Sequence, residues 1–141
     1  LVNLLYDTWR LSIMASELRV TTIANNAGTE SVNTSYVING TAKAWVNFNG
    51  TGTVAIRESN NSSSITDNGT GNYTVNFTSA IEDVNYSLTG VATWNTNTTS
   101  GGLFATQTST FATTSSTVYA FQSNSLFNAI DAHTCCVNIL R

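Results

Sequence analysis

A strict alternation of apolar and polar residues constrains this chain more than any other feature of its sequence. Tyr73, Val75 and Phe77 fall on one face of an extended segment, whereas Thr74 and Asn76 fall on the other. A period of two is typical of a half-buried antiparallel strand. The segment is therefore predicted to be a strand with one face in the core.

The residues just before this strand indicate a hairpin turn. Residues 67–71 read Asp-Asn-Gly-Thr-Gly, and these residue types accept the positive φ that tight turns require. We expect Gly69 to hold a positive φ. Ile65 and Thr66 would then pair across the turn with the start of the strand, Tyr73 and Thr74.

Similar alternation recurs along the chain, with turn residues between the segments and without a helical pattern. The polar run Ser59–Ser64 is predicted to be a loop. The spacing of about 8–12 residues between strands predicts an all-β fold, an antiparallel β-sandwich over residues 42–141. The expected core comprises Val46, Phe48, Val54, Ile56, Tyr73, Val75, Phe77, Tyr86, Leu88, Val137 and Ile139.

Residues 1–41 are predicted to form a short extended N-terminal arm for attachment and oligomerisation. Strands are expected near 18–23 and at Thr34–Ile38, separated by the turn residues of 25–29. Two short strands cannot bury enough apolar surface to fold alone, so another chain or the main domain is expected to stabilise them. Met14 is interpreted as the start of translation, with residues 1–13 upstream of it.

Composition narrows the possible functions. Of the 141 residues only 9% are charged and none is proline, whereas 41% are hydrophobic, which argues against disorder. A net charge of −3 with five basic residues gives no electrostatic footprint for nucleic acid. No apolar run approaches the ~20 residues of a membrane span, so we expect no membrane insertion.

Residues 131–136, Asp-Ala-His-Thr-Cys-Cys, contain the single histidine, His133, beside Asp131, Cys135 and Cys136. A metal site is one interpretation. Zinc ligands, however, usually come as two spaced pairs, and adjacent cysteines on a strand point to opposite faces. A turn followed by a strand with two free thiols is therefore favoured, with no metal or cofactor.

No catalytic residue is predicted. The adjacent carboxylates Glu82 and Asp83 are expected to diverge on a strand, and the sequence contains no nucleophile motif. The candidate binding site is a loop for a glycan or receptor, Trp94, Asn95, Asn97 and Thr98, because an aromatic face beside amides and hydroxyls suits a sugar. The alternative is that Trp94 caps the end of the domain and the loop is a solvated connection.

Three runs of sequence resemble a module of tail-fibre and related virion proteins of aquatic tailed bacteriophages. They are Lys43–Gly52 (Lys-Ala-Trp-Val-Asn-Phe-Asn-Gly-Thr-Gly), Ile56–Arg57 and Ser63–Phe77, and a segment like Ala80–Tyr86 follows them in that module. The resemblance is close over about residues 43–88 and loose beyond. It implies a knob-like fold and a structural or binding role, and it carries no catalytic or metal-binding residue.

The resemblance implies a non-enzymatic virion protein. The leading hypothesis is a homotrimeric tail fibre or fibre-like protein that contributes to host attachment, joined to other virion proteins through its N-terminal arm and contacting a host surface glycan. One alternative is a capsid decoration or adaptor protein of the same particle. Another is a carbohydrate-binding surface module.

Overall fold

The computed structural model describes residues 19–94, 101–122 and 128–141, and only the backbone of 101–110 and 122. One helix and ten strands occur in these ranges. In chain order they are β1 Thr22–Ala24, β2 Ser31–Asn33, α1 Thr34–Gly40, β3 Ala42–Asn49, β4 Ala55–Asn60, β5 Ser62–Asp67, β6 Asn72–Phe77, β7 Ser87–Thr93, β8 Gly101–Phe111, β9 Ser115–Gln122 and β10 Thr134–Leu140. The prediction of an all-β fold is confirmed. The single helix in this part of the chain, α1, is not long and apolar enough to cross a membrane.

Eight of the strands form one antiparallel sheet. Its order is β4-β3-β10-β7-β8-β9-β6-β5, and every neighbouring pair is antiparallel. Strands β3 and β6 are separated by four strands in this order, yet the rings of Phe48 and Tyr73 meet edge to face with centroids 5.2 Å apart. The sheet therefore curls until the inner faces of β3 and β6 pack together.

The core lies on the concave side of this curled sheet. Of the predicted core residues, eight are buried: Val46, Phe48, Tyr73, Val75, Phe77, Tyr86, Val137 and Ile139. Val54, Ile56 and Leu88 are partly buried and pack against the others. Cys135 is also buried, on the same face as Val137 and Ile139, as the alternation predicts.

The predicted hairpin is formed by β5 and β6. Thr66 lies opposite Thr74, Ile65 opposite Val75 and Asp67 opposite Tyr73, so the register differs by one residue from the expected pairing of Ile65 and Thr66 with Tyr73 and Thr74. The turn is closed by Asp67 Oδ1, which accepts a hydrogen bond of 2.9 Å from the amide of Gly69. Gly69 has a φ of +116°, so the predicted positive φ is confirmed.

The strand predicted at Thr34–Ile38 is wrong, because this segment begins the helix α1. Its β-branched and aromatic residues favour a strand by intrinsic preference. Asn33, however, caps the segment: its Oδ1 accepts a hydrogen bond of 2.9 Å from the amide of Ser35. Capping of this kind stabilises the first helical turn and here overrides the preference for a strand.

The polar loop predicted at Ser59–Ser64 is also wrong. The chain remains extended there, as the end of β4 and the start of β5, with a break only at Asn61. Ser62 is buried, and its hydroxyl donates to the carbonyl of Trp45 at 3.4 Å. Serine side chains can satisfy their hydrogen bonds on a strand in this way, so their polarity does not require a loop.

Asn61 joins the two edge strands of the eight-stranded sheet. It is the only non-glycine residue with a positive φ, +53°, in the described part of the chain. Its Nδ2 donates to the carbonyls of Lys43 at 2.9 Å and Ser79 at 3.1 Å, and its Oδ1 accepts from the amide of Ser79 at 2.8 Å. Asparagine tolerates the left-handed region better than most residues, and here all its amide atoms that can bond are used.

The chain divides into two units, Leu1–Tyr36 and Val37–Arg141. In the first, β1 and β2 form a two-stranded antiparallel sheet in which Ile23 lies opposite Val32. The turn between them contains Gly28, with a φ of +67°, as the turn predicted at 25–29 requires. All six strand residues are exposed, so this small sheet has no buried face.

We expect Asn61→Gly and Asn61→Ala to separate the two roles of this residue. Glycine keeps the positive φ and loses the three side-chain hydrogen bonds, which should cost about 1–3 kcal/mol of unfolding free energy. Alanine also disfavours the left-handed region and should cost a further ~1 kcal/mol or more. Urea unfolding of both variants measures the difference. Equal losses in the two variants would show that backbone conformation at Asn61 does not matter.

Candidate functional site

The predicted binding loop is only partly described. Trp94 follows the end of β7 and is 42% exposed, and its carbonyl accepts a hydrogen bond from the amide of His133 at 3.3 Å. Asn95, Asn97 and Thr98 lie outside the described residues. Of the predicted binding residues, Trp94 alone is described, and it is exposed.

The side chains of residues 131–136 point to different partners. Asp131 Oδ1 accepts hydrogen bonds from Tyr73 Oη at 3.0 Å and from the amide of Gly71 at 2.8 Å. His133 Nδ1 lies 3.2 Å from the hydroxyl of Thr134, and Cys135 faces the core. Within the described ranges, no group of three or more His, Cys, Asp or Glu residues is placed to hold a metal ion.

Both cysteines are free thiols, and they differ in environment. Cys135 is fully buried, and burial raises the pKa of its thiol to about 12. Cys136 is half-buried on the opposite face of β10. The Cys135 thiol is therefore protonated at neutral pH. It is unreactive in this form, because the thiolate is the reactive species.

Buried Tyr73 is the centre of a polar cluster with the exposed Asp131 and with Gly50 and Gly71. Its hydroxyl also lies 3.0 Å from the carbonyl oxygen of Gly50, and the amide of Gly50 donates to the carbonyl of Ala132 at 2.9 Å. Burial, and then the hydrogen bond to Asp131, raise the pKa of Tyr73. The phenol therefore stays protonated and acts as a hydrogen-bond donor that ties β6 to the segment before β10.

The two glycines allow the backbone to approach this cluster closely. A Cβ on Gly50 would lie 2.5 Å from Tyr73 Oη, and a Cβ on Gly71 would lie 2.5 Å from the carbonyl oxygen of Ala120. Gly71 also has a φ of +65°. The arrangement is a packed junction of backbone and side chains at Gly50 and Gly71.

The sequence suggested that Glu82 and Asp83 diverge on a strand, and this prediction is wrong. The segment is irregular, and both carboxylates contact the guanidinium of Arg141, with Arg141 Nε 2.9 Å from Asp83 Oδ1. Asp83 Oδ1 also accepts from the amide of Asn85 at 2.7 Å. The hydrogen bond from Arg141, followed by that from Asn85, lowers the pKa of Asp83.

An open groove of about 510 Å³ lies on the outer face of β3, β10 and β7, and the sequence interpretation missed it. Its lining residues are Trp45, Val46, Asn47, Thr89, Gly90, Val91, Cys136, Val137 and Asn138, none of which is charged. Trp45 is 37% exposed and Val91 is 53% exposed. The alternation of β3 does place Trp45 on the outward face of that strand. It does not show which residues lie beside Trp45, because this depends on the order of the strands in the sheet.

Gly71→Ala should destabilise the protein more than Gly69→Ala. Both glycines have positive φ, which costs other residues about 1–3 kcal/mol. A Cβ at Gly69 meets no atom within 4 Å, whereas at Gly71 it also clashes with Ala120 and Ile130, which should add ~1–3 kcal/mol. Chemical unfolding of the two variants measures the difference, and a larger loss in Gly69→Ala would contradict the packing at Gly71.

Arg141→Gln should lower the melting temperature at pH 7, and the difference from wild type should shrink in acid. A carboxylate whose folded pKa is lowered stabilises the fold above its unfolded pKa, and this contribution is lost as the pH falls through the folded pKa of Asp83. The ion pair is exposed enough that added salt should also reduce the effect. Thermal unfolding from pH 7 to pH 2 tests this, with Glu82→Gln as the control for the more exposed carboxylate. A difference that persists unchanged at pH 2 would contradict the role of Asp83.

Comparison of the chain with protein-family models, with curated proteins and with solved structures found no match. The functional proposals below therefore depend on the residues of this chain, and on the resemblance of its motifs to the virion module.

Proposed function

We propose that this chain is a non-enzymatic structural protein of a bacteriophage particle, a homotrimeric tail fibre or fibre-like protein that contributes to host attachment. The observation that carries the proposal is the apolar surface that the described residues of the N-terminal unit leave exposed. In the N-terminal unit Ile23 is 47% exposed, Val32 is 40% exposed and Tyr36 is 75% exposed. Ile38, at the start of the following unit, is 61% exposed.

Exposed apolar residues on a two-stranded sheet favour association with other chains. A sheet of this size has too little buried surface to be stable alone, and both of its strands are edge strands. Closed rotational symmetry would satisfy each copy with a neighbouring copy. We propose a threefold arrangement, with the arm also contacting other virion proteins, because the motifs of residues 43–88 resemble those of fibre proteins.

We also propose that the curled sheet is a β-sandwich. Strands β4, β3, β10 and β7 would form one layer, and β8, β9, β6 and β5 the other. The edge-to-face contact of Phe48 with Tyr73 supports this arrangement, because it joins the inner faces of two strands far apart in the sheet. A rigid scaffold of this kind is suited to presenting binding residues at its surface.

The side chains that most resemble catalytic groups have structural partners, which supports a role without catalysis. Asp131 accepts hydrogen bonds from Tyr73 and Gly71, and Asp83 contacts Arg141. Catalytic carboxylates need free approach to a reacting atom, usually in a cleft. Neither of these two carboxylates lines the groove on the outer face.

A carbohydrate-binding surface module is the second candidate. The groove beside Trp45 favours it, because an exposed indole among amides and hydroxyls has the chemistry of a sugar site. This candidate is compatible with a virion fibre, whose attachment function needs a ligand site. The position of the protein in the particle distinguishes a fibre, which lies at the tail, from a decoration or adaptor protein on the capsid.

Light scattering on the full chain tests the oligomeric proposal. At micromolar concentration we expect a mass three times that of the 15.1-kDa chain, and a monomer after deletion of residues 1–41. The double substitution Ile23→Ser/Val32→Ser should weaken the trimer, because it removes the exposed apolar pair of β1 and β2. Val84→Ser is the matched control, since Val84 is 46% exposed in the other unit. A monomeric full-length protein would overturn the proposal.

A further inference from the structure

The outer face of β3, β10 and β7 carries two rows of side chains that cross the strands. Trp45, Asn138 and Thr89 are aligned in one row. The second row consists of Asn47, Cys136 and Val91. Directly opposed residues on neighbouring strands have side chains close together, so each row is a continuous surface.

The first row has unused hydrogen-bonding capacity. Among the described residues, the side chains of Trp45, Asn138 and Thr89 make no hydrogen bond to another residue. Asn47, in the second row, differs: its Oδ1 accepts a hydrogen bond of 3.2 Å from Arg57 Nη1. The indole N–H, the amide and the hydroxyl of the first row are thus available to a ligand, next to the apolar surface of the indole ring.

The lack of charged residues in the lining of the groove favours some classes of ligand over others. None of its lining residues is charged, and the nearest described charges, Arg57 and Glu58 on β4, lie beside Asn47 at the end of the second row. The first row therefore offers no counter-ion to a phosphate, a carboxylate or an ammonium group. A ligand that suits it is neutral, has an apolar face for the Trp45 ring, and carries several hydroxyl groups for Asn138 and Thr89. Sugar rings combine these properties, because their axial C–H groups form apolar faces and their hydroxyls lie at the rim.

The dimensions of the groove fit a short oligosaccharide. Trp45 and Thr89 are two strands apart, a distance of about 10 Å at the usual strand spacing. A span of this length accommodates more than one sugar ring. The volume of about 510 Å³ is within the range of roughly 300–1,000 Å³ typical of ligand sites.

We propose that this groove binds a neutral oligosaccharide, with one sugar ring stacked on Trp45 and hydroxyls bonded to Asn138 and Thr89. The proposal deepens the attachment role and rests on it, and it places the ligand on the sheet face instead of the loop that follows Trp94. Val91 and Cys136 provide an apolar floor in the adjoining row.

The test is a titration of the full-length protein with neutral tetrasaccharides of glucose, galactose, mannose and N-acetylglucosamine, up to millimolar concentration, by isothermal calorimetry. At least one should bind. Trp45→Ala should weaken that binding roughly tenfold, the effect of losing an aromatic contact of about 1.4 kcal/mol. Trp45→Phe should retain part of the affinity, and Asn138→Ala should weaken binding several-fold.

Val84→Ser, at an exposed residue that does not line the groove, is the control and should bind as wild type does. Trp94→Ala tests the predicted loop site instead, because Trp94 has nearly the same exposure as Trp45. Its affinity should equal that of wild type, and thermal melts should show that all variants are folded. Absence of binding to every sugar, an unchanged affinity in Trp45→Ala, or an equal loss in Trp94→Ala would overturn the proposal. A change of mass in Trp45→Ala would also overturn it and would identify the face as a contact between copies. The trimer is measured separately, so it can stand or fall independently of sugar binding.

Discussion

The curled sheet depends on the hydrogen bonds made by the side-chain amide of Asn61. Strands β4 and β5 are opposite edges of the same sheet, yet they are joined through this single residue. Such a connection is possible only if the sheet bends round until its edges meet. The left-handed backbone of Asn61 turns the chain, while its amide holds the start of β3 and the segment after β6 through the carbonyls of Lys43 and Ser79. The edge-to-face contact of Phe48 and Tyr73 fills the space enclosed by that bend.

The motifs that resemble a phage module have clear physical roles in this structure. Arg57 is an example, because its guanidinium donates to the carbonyl of His133 at 2.6 Å and so ties β4 to the start of β10. Gly71 permits close contact with Ala120 and Ile130, and Tyr73 anchors Asp131. These residues stabilise the scaffold. Binding specificity would then reside in outward-facing positions such as Trp45, whose side chain can change without altering the core.

The sequence predicted the strands whose two faces differ most in polarity. Strands β3, β6 and β10 alternate regularly, so their inward residues could be assigned without knowing which strands were neighbours. Two predictions failed where a local hydrogen bond outweighed residue preference, at the capped helix after Asn33 and at the serine-rich strands around Asn61. The groove could not be predicted because Trp45, Asn138 and Thr89 are far apart in sequence. Only the strand order β3-β10-β7 brings them into one row.

The strand order has a consequence for how the chain reaches this structure. Strands β3 to β6, which come first in the large sheet, occupy its two flanks, and β7 to β10 fill the space between them. Strand β10 pairs with both β3 and β7, so one side of β3 has no partner until the chain has been synthesised through Leu140. Folding of such a sheet is dominated by contacts between distant residues and is correspondingly slow, on the order of milliseconds to seconds. During synthesis this edge of β3 stays unpaired for the time needed to make about ninety further residues, several seconds at ~5–20 residues per second.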